Sequence, residues 1–179
     1  MKTELKVKYL QHLNQKRREG GFTLIELLVV VIIIGILAAV ALPSLLSQAD
    51  KAKQVEARNN VGAMNRAQQA YNLEKPGFAE NLGALGLGIA SETTNYTYTI
   101  SDGGSAATHA RNAASPKDTK LKGYQGYTFQ VEVDQDGVTE TVTRAVVCEA
   151  ALPGEDAGQG TAGGDNNGAC ADGDTKLGE

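Results

Sequence analysis

The first part of the chain carries an almost unbroken apolar run. Phe22 to Leu42 spans 21 residues, and Glu26 is the one charged residue among them. As a helix this run would rise roughly 31 Å, about the thickness of the hydrocarbon core of a bilayer. A charge at the bilayer centre costs about 2.5–3.5 kcal/mol on insertion scales, so we interpret Glu26 as a functional residue.

Helical periodicity continues beyond this run. Pro43 predicts a kink rather than an end, because no turn residues surround it. Uncharged residues at spacings of three and four predict the face that holds a folded domain. These residues are Ala57, Val61, Met64, Gln68 and Tyr71. The opposite face is charged, which is typical of a solvated or subunit-facing surface. Pro76-Gly77 ends the pattern, so we predict one helix from Phe22 to Lys75, apolar all round and then amphipathic.

Strand patterns appear in the second half of the chain. Tyr96, Tyr98 and Ile100 alternate with threonines, and a second alternation runs from Tyr127 to Asp134. Asp136-Gly137 predicts a hairpin turn, followed by a return strand from about Val138 to Cys148. We therefore expect an α+β fold, in which a three- or four-stranded antiparallel sheet packs on the second half of the long helix.

Three segments lack a strong strand pattern. Residues 78–90, rich in Gly and Leu, predict a short helix or loop. Residues 101–123, rich in Gly, Ser, Ala and charge, predict an exposed loop. Residues 153–179 contain eight glycines and six acidic residues, which favours a solvated tail that buries little apolar surface. Calcium binding by the oxygens of this tail is the alternative, although their spacing does not fit the common calcium loop.

Charge is distributed asymmetrically. Residues 1–21 carry six Lys or Arg against two Glu, a net charge of +4, which leaves −8 for the rest of a chain whose net charge is −4. Under the positive-inside rule the basic segment stays in the cytoplasm and the acidic remainder crosses the membrane. The acidic remainder argues against nucleic acid as a main partner, and no direct nucleic-acid site is evident.

The run Gly21-Phe22-Thr23-Leu24-Ile25-Glu26 resembles the processing site of type IV prepilins. The resemblance implies that a prepilin peptidase cuts after Gly21 and that the new first residue, Phe22, is N-methylated. It implies that Glu26 neutralises the amino terminus of a neighbouring subunit, a group with a reference pKa near 8. It also implies that the helix loses regular hydrogen bonding in the fibre between Gly35 and Pro43.

Two other interpretations of the apolar run remain open. Ala39-Val40-Ala41 looks like the small-residue cleavage site of a secretory signal peptide, although the run exceeds the usual ~7–15 residues. A plain membrane anchor is the other possibility. On the pilin interpretation, five segments are expected: a cleaved leader (1–21), a transmembrane and filament-core helix half (22–43), an amphipathic half (44–75), a head (76–152) and an acidic tail (153–179).

The chain has two cysteines, Cys148 and Cys170. The predicted topology places both outside the cytoplasm, where disulfides form, and the arrangement resembles the disulfide-bounded C-terminal loop of type IV pilins. Two reduced thiols are the alternative. Two cysteines without paired histidines do not indicate a zinc site. His12 lies in the leader and His109 in the predicted loop, where we expect a surface residue, so neither assembles a catalytic site.

The resemblance implies a structural protein without enzymatic activity or cofactor. We expect a major pilin that polymerises with itself into a retractable surface fibre for twitching motility, adhesion or DNA uptake. Its partners would be other copies, the prepilin peptidase, membrane lipid and the pilus assembly machinery of the inner membrane. The expected path runs from the inner membrane, with the head outside the cytoplasm, to the extracellular filament. The rivals are a minor pilin or type II secretion pseudopilin, and a single-pass membrane-anchored binding protein.

Overall fold

The computed structural model describes residues 21–157, 169–170 and 173–177. The predicted leader, residues 1–21, lies outside the described residues except for Gly21. The first element, α1, is a 51-residue helix, Leu24–Glu74, that continues without interruption through Gly35 and Pro43. The chain divides into two compact units, Met1–Leu46 and Ser47–Glu179.

The second unit contains the last part of α1, a short helix and five strands. The short helix, α2, is Leu82–Leu85, and Asn81 caps it by accepting a hydrogen bond from the backbone N–H of Ala84. The strands form one antiparallel sheet in the order β1-β2-β3-β4-β5. They are β1 Tyr96–Ser101, β2 His109–Pro116, β3 Tyr124–Gln135, β4 Val138–Glu149 and β5 Thr175–Lys176.

The main core lies between α1 and one face of this sheet. The helix contributes Ala57, Val61 and Met64, all fully buried. Three tyrosines of the sheet region meet them, together with smaller residues; the sheet and loop members are Tyr96, Tyr98, Ala114, Leu121 and Tyr124. The stripe predicted from helical spacing therefore holds the head on the helix. Gln68 belongs to it and is fully buried, whereas Tyr71 is only half-buried.

A buried polar cluster joins α1 to the sheet inside this core. Asn65 Nδ2 donates to the backbone oxygen of Val146 at 2.9 Å. Asn65 Oδ1 accepts from Asn112 Nδ2 at 2.8 Å and from Thr128 Oγ1 at 3.3 Å. Buried polar groups are costly unless they are hydrogen-bonded. The amide of Asn65 therefore favours one register of the helix on the sheet.

The opposite face of the sheet carries a second apolar cluster. Successive strand residues point to opposite faces, so Tyr127, Phe129 and Val131 alternate with the residues of β3 that face α1. They pack with Cys148 and with Ala157, which follows β4. Both faces of the sheet are therefore apolar.

Several predictions require correction. Residues 101–123 are not a loop throughout, because they contain β2. This strand lacks β-branched residues, so its sequence does not show a strand pattern. Its inward residues Ala110, Asn112 and Ala114 are small enough to be fully buried under the helix. His109 begins β2 and is half-buried, with its ring 5.4 Å from that of Tyr127.

The sheet has five strands rather than three or four, because β2 and part of the predicted tail, β5, both belong to it. Leu177 N donates to Val147 O at 2.8 Å, beside β5. Ala157, also in the predicted tail, is only 8% exposed. The predicted hairpin is confirmed: Asp136 and Gly137 both have positive φ, 55° and 83°, as a two-residue type I′ turn requires.

Candidate assembly and processing site

The start of α1 is fixed by Thr23 and Glu26. Glu26 Oε2 accepts hydrogen bonds from Thr23 N and from Thr23 Oγ1, both at 2.8 Å. In return, Glu26 N donates to Thr23 Oγ1 at 3.3 Å. This reciprocal arrangement is a capping box, which satisfies backbone donors that would otherwise be orphaned at a helix start. The negative charge of the Glu26 carboxylate also interacts favourably with the positive, N-terminal end of the helix dipole.

Thr23 is not among the residues predicted for this site, although the spacing Thr-x-x-Glu is a recognised start signal for a helix. The cap explains why α1 begins at Leu24 rather than at the predicted Phe22. It also gives Glu26 a local structural role besides any role toward a neighbouring subunit. Within the described residues, only Oε2 of this carboxylate is engaged in hydrogen bonds.

The surface around Glu26 is apolar. Phe22, Ile25, Val29 and Val30 surround it on the outside of the helix. All large apolar side chains between Leu24 and Leu46 are exposed, by 46% to 87%. Among the described residues α1 is the one helix long and apolar enough to cross a bilayer, with a mean hydropathy of 3.1 in its most apolar window. A helix that is apolar all round must be buried in lipid or against other helices.

Two glycines of the predicted site have no close neighbours. A β-carbon added to Gly21 or to Gly35 would meet no atom within 4 Å. Among residues 21–157, 169–170 and 173–177 no atom therefore requires glycine at position 21. Gly35 and Pro43 are both poor helix formers, and they lie eight residues apart in the exposed half of α1.

The two cysteines are joined at the end of β4. Cys148 and Cys170 form a disulfide with their Cα atoms 5.6 Å apart. Cys148 is 1% exposed and belongs to the second apolar cluster. Nearby, Ala151 N donates to Asp174 Oδ1 at 3.2 Å. The bond holds the segment that carries β5 beside the last long strand.

A cluster of polar groups joins β3 to β4 near the disulfide. Tyr124 OH donates to Glu149 Oε2 at 2.9 Å, and Lys122 Nζ donates to Glu149 Oε1 at 2.9 Å. Tyr96 OH donates to the backbone oxygen of Lys122 at 2.9 Å. Burial raises the pKa of both Tyr124 and Tyr96 well above the ordinary value of 10. The tyrosines therefore hold their protons and donate at neutral pH.

The described residues contain no group of three or more His, Cys, Asp or Glu placed to hold a metal ion. Most of the candidate calcium ligands of the tail lie outside the described residues: Asp165, Asn166, Asn167 and Asp172. His12 also lies outside them. His109 packs on Tyr127.

A long helix that is apolar in its first half, and that holds an antiparallel sheet on its second half, defines a pilin-like protein. Two family matches agree. Residues 16–42 match the prokaryotic N-terminal methylation motif, and residues 54–171 match the family described as type IV pilin-like G and H. The second match covers more than half of the chain, so the chain belongs to the type IV pilin-like family, whose members are structural proteins rather than enzymes.

Individual relatives include both pilins and secretion proteins. The type IV major pilin protein PilA of Myxococcus xanthus is 42% identical over 54% of this chain and 43% of its own length. The type II secretion system core protein G of Pseudomonas aeruginosa is 42% identical over 40% of this chain and 52% of its own. The fimbrial protein EcpC of Eikenella corrodens is 37% identical over 65% of this chain and 76% of its own. The chain thus spans about half the length of the first two relatives.

Proposed function

We propose that this chain is a major structural subunit of a type IV pilus. The observation that carries the proposal is the exposed apolar half of α1, with one carboxylate near its start. Its large apolar residues are at least 46% exposed in the isolated chain. They need lipid before assembly and other copies afterwards, because contact with water is unfavourable for so large an apolar surface. Polymerisation through this half supplies those copies.

Within this proposal, processing cuts the bond between Gly21 and Phe22 and leaves N-methylated Phe22 as the first residue. The α-amine then lies one residue before Thr23, at the start of the helix. Glu26 of one subunit neutralises this amine in a neighbour, using the carboxylate oxygen that the capping box leaves free. An unpaired charge in a low-dielectric fibre core would be costly. N-terminal sequencing of the membrane-bound protein tests the cleavage directly.

We further propose that the helix stretches between Gly35 and Pro43 when the fibre forms. Pro43 cannot donate a backbone hydrogen bond to Ala39, and its ring crowds the same carbonyl. In lipid, unsatisfied backbone groups cost several kcal/mol, so the subunit keeps its helix there. Neighbouring helices in a fibre can hold the segment extended. Extended residues rise about 3.3 Å instead of 1.5 Å each, so stretching lengthens the subunit.

A second candidate is a pseudopilin of a type II secretion system. Five of the similar proteins are core protein G, and they match 32% to 44% of this chain. The matches to PilA, PilA4 and EcpC extend over 47% to 65% of it. The longer matches support the pilin, as does the disulfide-bounded C-terminal segment. A tip or minor pilin would share the same leader chemistry and helix.

Deletion of the gene, with complementation, separates the two candidates. For a major pilin, deletion removes long surface fibres and twitching motility, and mass spectrometry of sheared fibres finds this chain as their main component. For a pseudopilin, fibres persist and proteins normally secreted through the outer membrane accumulate inside the cell. A minor pilin would be present in sheared fibres at a small fraction of the main component.

A further inference from the structure

The hairpin of β3 and β4 extends beyond the rest of the sheet. β2 pairs with β3 only as far as Phe129, whereas β3 and β4 remain paired to the turn at Asp136-Gly137. We call residues 130–143 the β-arm. It contains four carboxylates and no Lys or Arg. Its tip residue Val138 is 60% exposed. The carboxylates are those of Glu132, Asp134, Asp136 and Glu140.

The base of the β-arm lies at the C-terminal end of α1. Gln130 Nε2 donates to Asn72 Oδ1 at 3.2 Å, and Gln69 Nε2 donates to Thr143 O at 3.2 Å. The helix ends at Glu74, a rise of roughly 3 Å beyond Asn72. β3 continues from Gln130 to Gln135, a rise of roughly 17 Å. The β-arm therefore projects away from the last contacts that hold it to the helix.

The second unit begins at Ser47, and the first part of α1 in this unit carries cations on the helix face that points away from the sheet. Lys51, Val55 and Arg58 follow one another at spacings of four and three, so they share a face. All three are exposed, Val55 by 53%. We call these three residues the cationic stripe. Among the described residues, no ion pair involves its Lys or its Arg. The exposed carboxylate of Glu56 lies about 100° round the helix from Val55.

These two surfaces occupy opposite ends of the unit. Lys51 precedes Asn72 by 21 residues, which is roughly 32 Å along the helix axis. The acidic β-arm and the cationic stripe are thus complementary in charge but too far apart to meet within one subunit. Contact between two different surfaces of identical chains is heterologous. Such a contact propagates into an open helical filament when its rotation does not close a ring.

We propose that the β-arm of one subunit docks on the cationic stripe of a second copy. Strand alternation puts Glu140 on the same face of the β-arm as Val138, and Glu132 on the other face. In the contact, Glu140 faces Lys51 and Arg58, and Val138 packs beside Val55. The contact adds a head-to-head attachment to the packing of the apolar helices. The contact fixes how one subunit is placed relative to the next. Complementary charges mainly disfavour incorrect placements, and they add less to the affinity between subunits. The idea rests on the proposed function in that the two copies belong to one fibre.

Charge reversal in the full chain, expressed in cells from which the natural copy is deleted, tests the contact. The arm variant is Glu140→Lys, and the stripe variant is Lys51→Glu with Arg58→Glu. Each should lower the yield of sheared fibres by about tenfold, because like charges then face each other. Combining all three changes should restore most of the yield. As the matched control, Glu80→Lys with Glu155→Lys reverses two exposed carboxylates outside both surfaces and should have little effect.

Cysteine cross-linking provides a readout that does not depend on fibres. The described cysteines are already paired, so Val55→Cys and Val138→Cys in two co-expressed copies introduce the only additional thiols. We expect a covalent dimer on mild oxidation in intact cells. Leu152→Cys replaces Val138→Cys as the control, since Leu152 is 59% exposed and lies outside the β-arm. It should give little dimer.

The outcomes separate this inference from the proposed function. Normal fibre yield in both reversal variants, or no cross-link in cells that make fibres, overturns the docking contact and leaves the pilus subunit intact. A Val55–Val138 cross-link in cells where this chain never enters fibres supports the contact and overturns the pilus role. Loss of yield in the arm and stripe variants without recovery in the combined variant also counts against the pairing of these two surfaces.

Discussion

Replacing Gly126 by alanine tests whether the buried polar cluster fixes α1 on the sheet. A β-carbon at this position would overlap Asn65 Oδ1, and it would lie 2.7 Å from Asn65 Cγ and 2.8 Å from Val61 Cγ1. The Asn65 side chain cannot move aside freely, because it holds Val146, Asn112 and Thr128 by hydrogen bonds.

The expected cost follows from two terms and one offset. Forcing an extra methyl group into a packed core costs about 1–3 kcal/mol. Breaking the bonds of Asn65 leaves buried polar groups unsatisfied, at about 1–3 kcal/mol each. Replacing glycine reduces the entropy of the unfolded chain, which returns about 0.4–1 kcal/mol. We expect the free energy of unfolding of the head to fall by about 2–4 kcal/mol in Gly126→Ala.

Urea unfolding of the full chain in detergent measures this change. The chain has six tyrosines and no tryptophan, so near-ultraviolet circular dichroism of tyrosine follows the head. Gly62→Ala is the matched control: its β-carbon would meet only Arg66 Nη1, at 3.6 Å. Removing glycine from a helix interior should raise stability by up to about 1 kcal/mol. If the free energy of unfolding of Gly126→Ala lies within about 0.5 kcal/mol of the wild-type value, the polar cluster rearranges at little cost and the reasoning is refuted.

Four further changes test other parts of the molecule. Glu26→Ala should leave membrane insertion intact but lower fibre yield, and the first turn of α1 should fray because the carboxylate no longer accepts from Thr23; normal yield would rule out its assembly role. Pro43→Ala should stiffen the fibre in stretching experiments, and unchanged elasticity would contradict helix stretching. Reducing Cys148–Cys170 should lower stability by roughly 3 kcal/mol and release the C-terminal segment to protease before the sheet. Because burial raises the pKa of Tyr124 above 10, folding should weaken as the pH rises past about 10, where the unfolded tyrosine ionises first; Tyr124→Phe should reduce that loss, as measured by urea midpoints between pH 8 and 11.

Much of the functional region is encoded locally and could be predicted. The run from Gly21 to Glu26 and the apolar residues after it depend only on neighbours in sequence, since a membrane helix satisfies its own backbone. Asp136-Gly137 likewise fixes its own turn, because both residues tolerate positive φ. The stripe containing Ala57, Val61 and Met64 follows from helical spacing alone. The capping box at Thr23 was equally local and could have been found from its spacing.

Other features exist only because distant segments meet. The segment His109–Pro116 has little strand propensity, but it lies between two strands whose backbone groups need partners, and its small inward residues fit beneath the helix. Strand propensity reflects such packing more than the backbone itself. β5 has only two residues and depends on the disulfide and on the edge of β4.

Asn65 shows the same limit within the helix. Helical spacing puts it on the same face as Val61, but its polar side chain is not among the predicted core residues. The approach of Gly126, Asn112 and Thr128 makes it the buried link between α1 and the sheet. The sequence by itself determined the membrane helix, its processing motif and the hairpin, because each of these is stabilised by residues close in the chain. The tertiary structure decided β2, the β5 edge and the register of α1 on the sheet. Their stability comes from hydrogen bonds and burial between segments far apart in sequence, which no local pattern records.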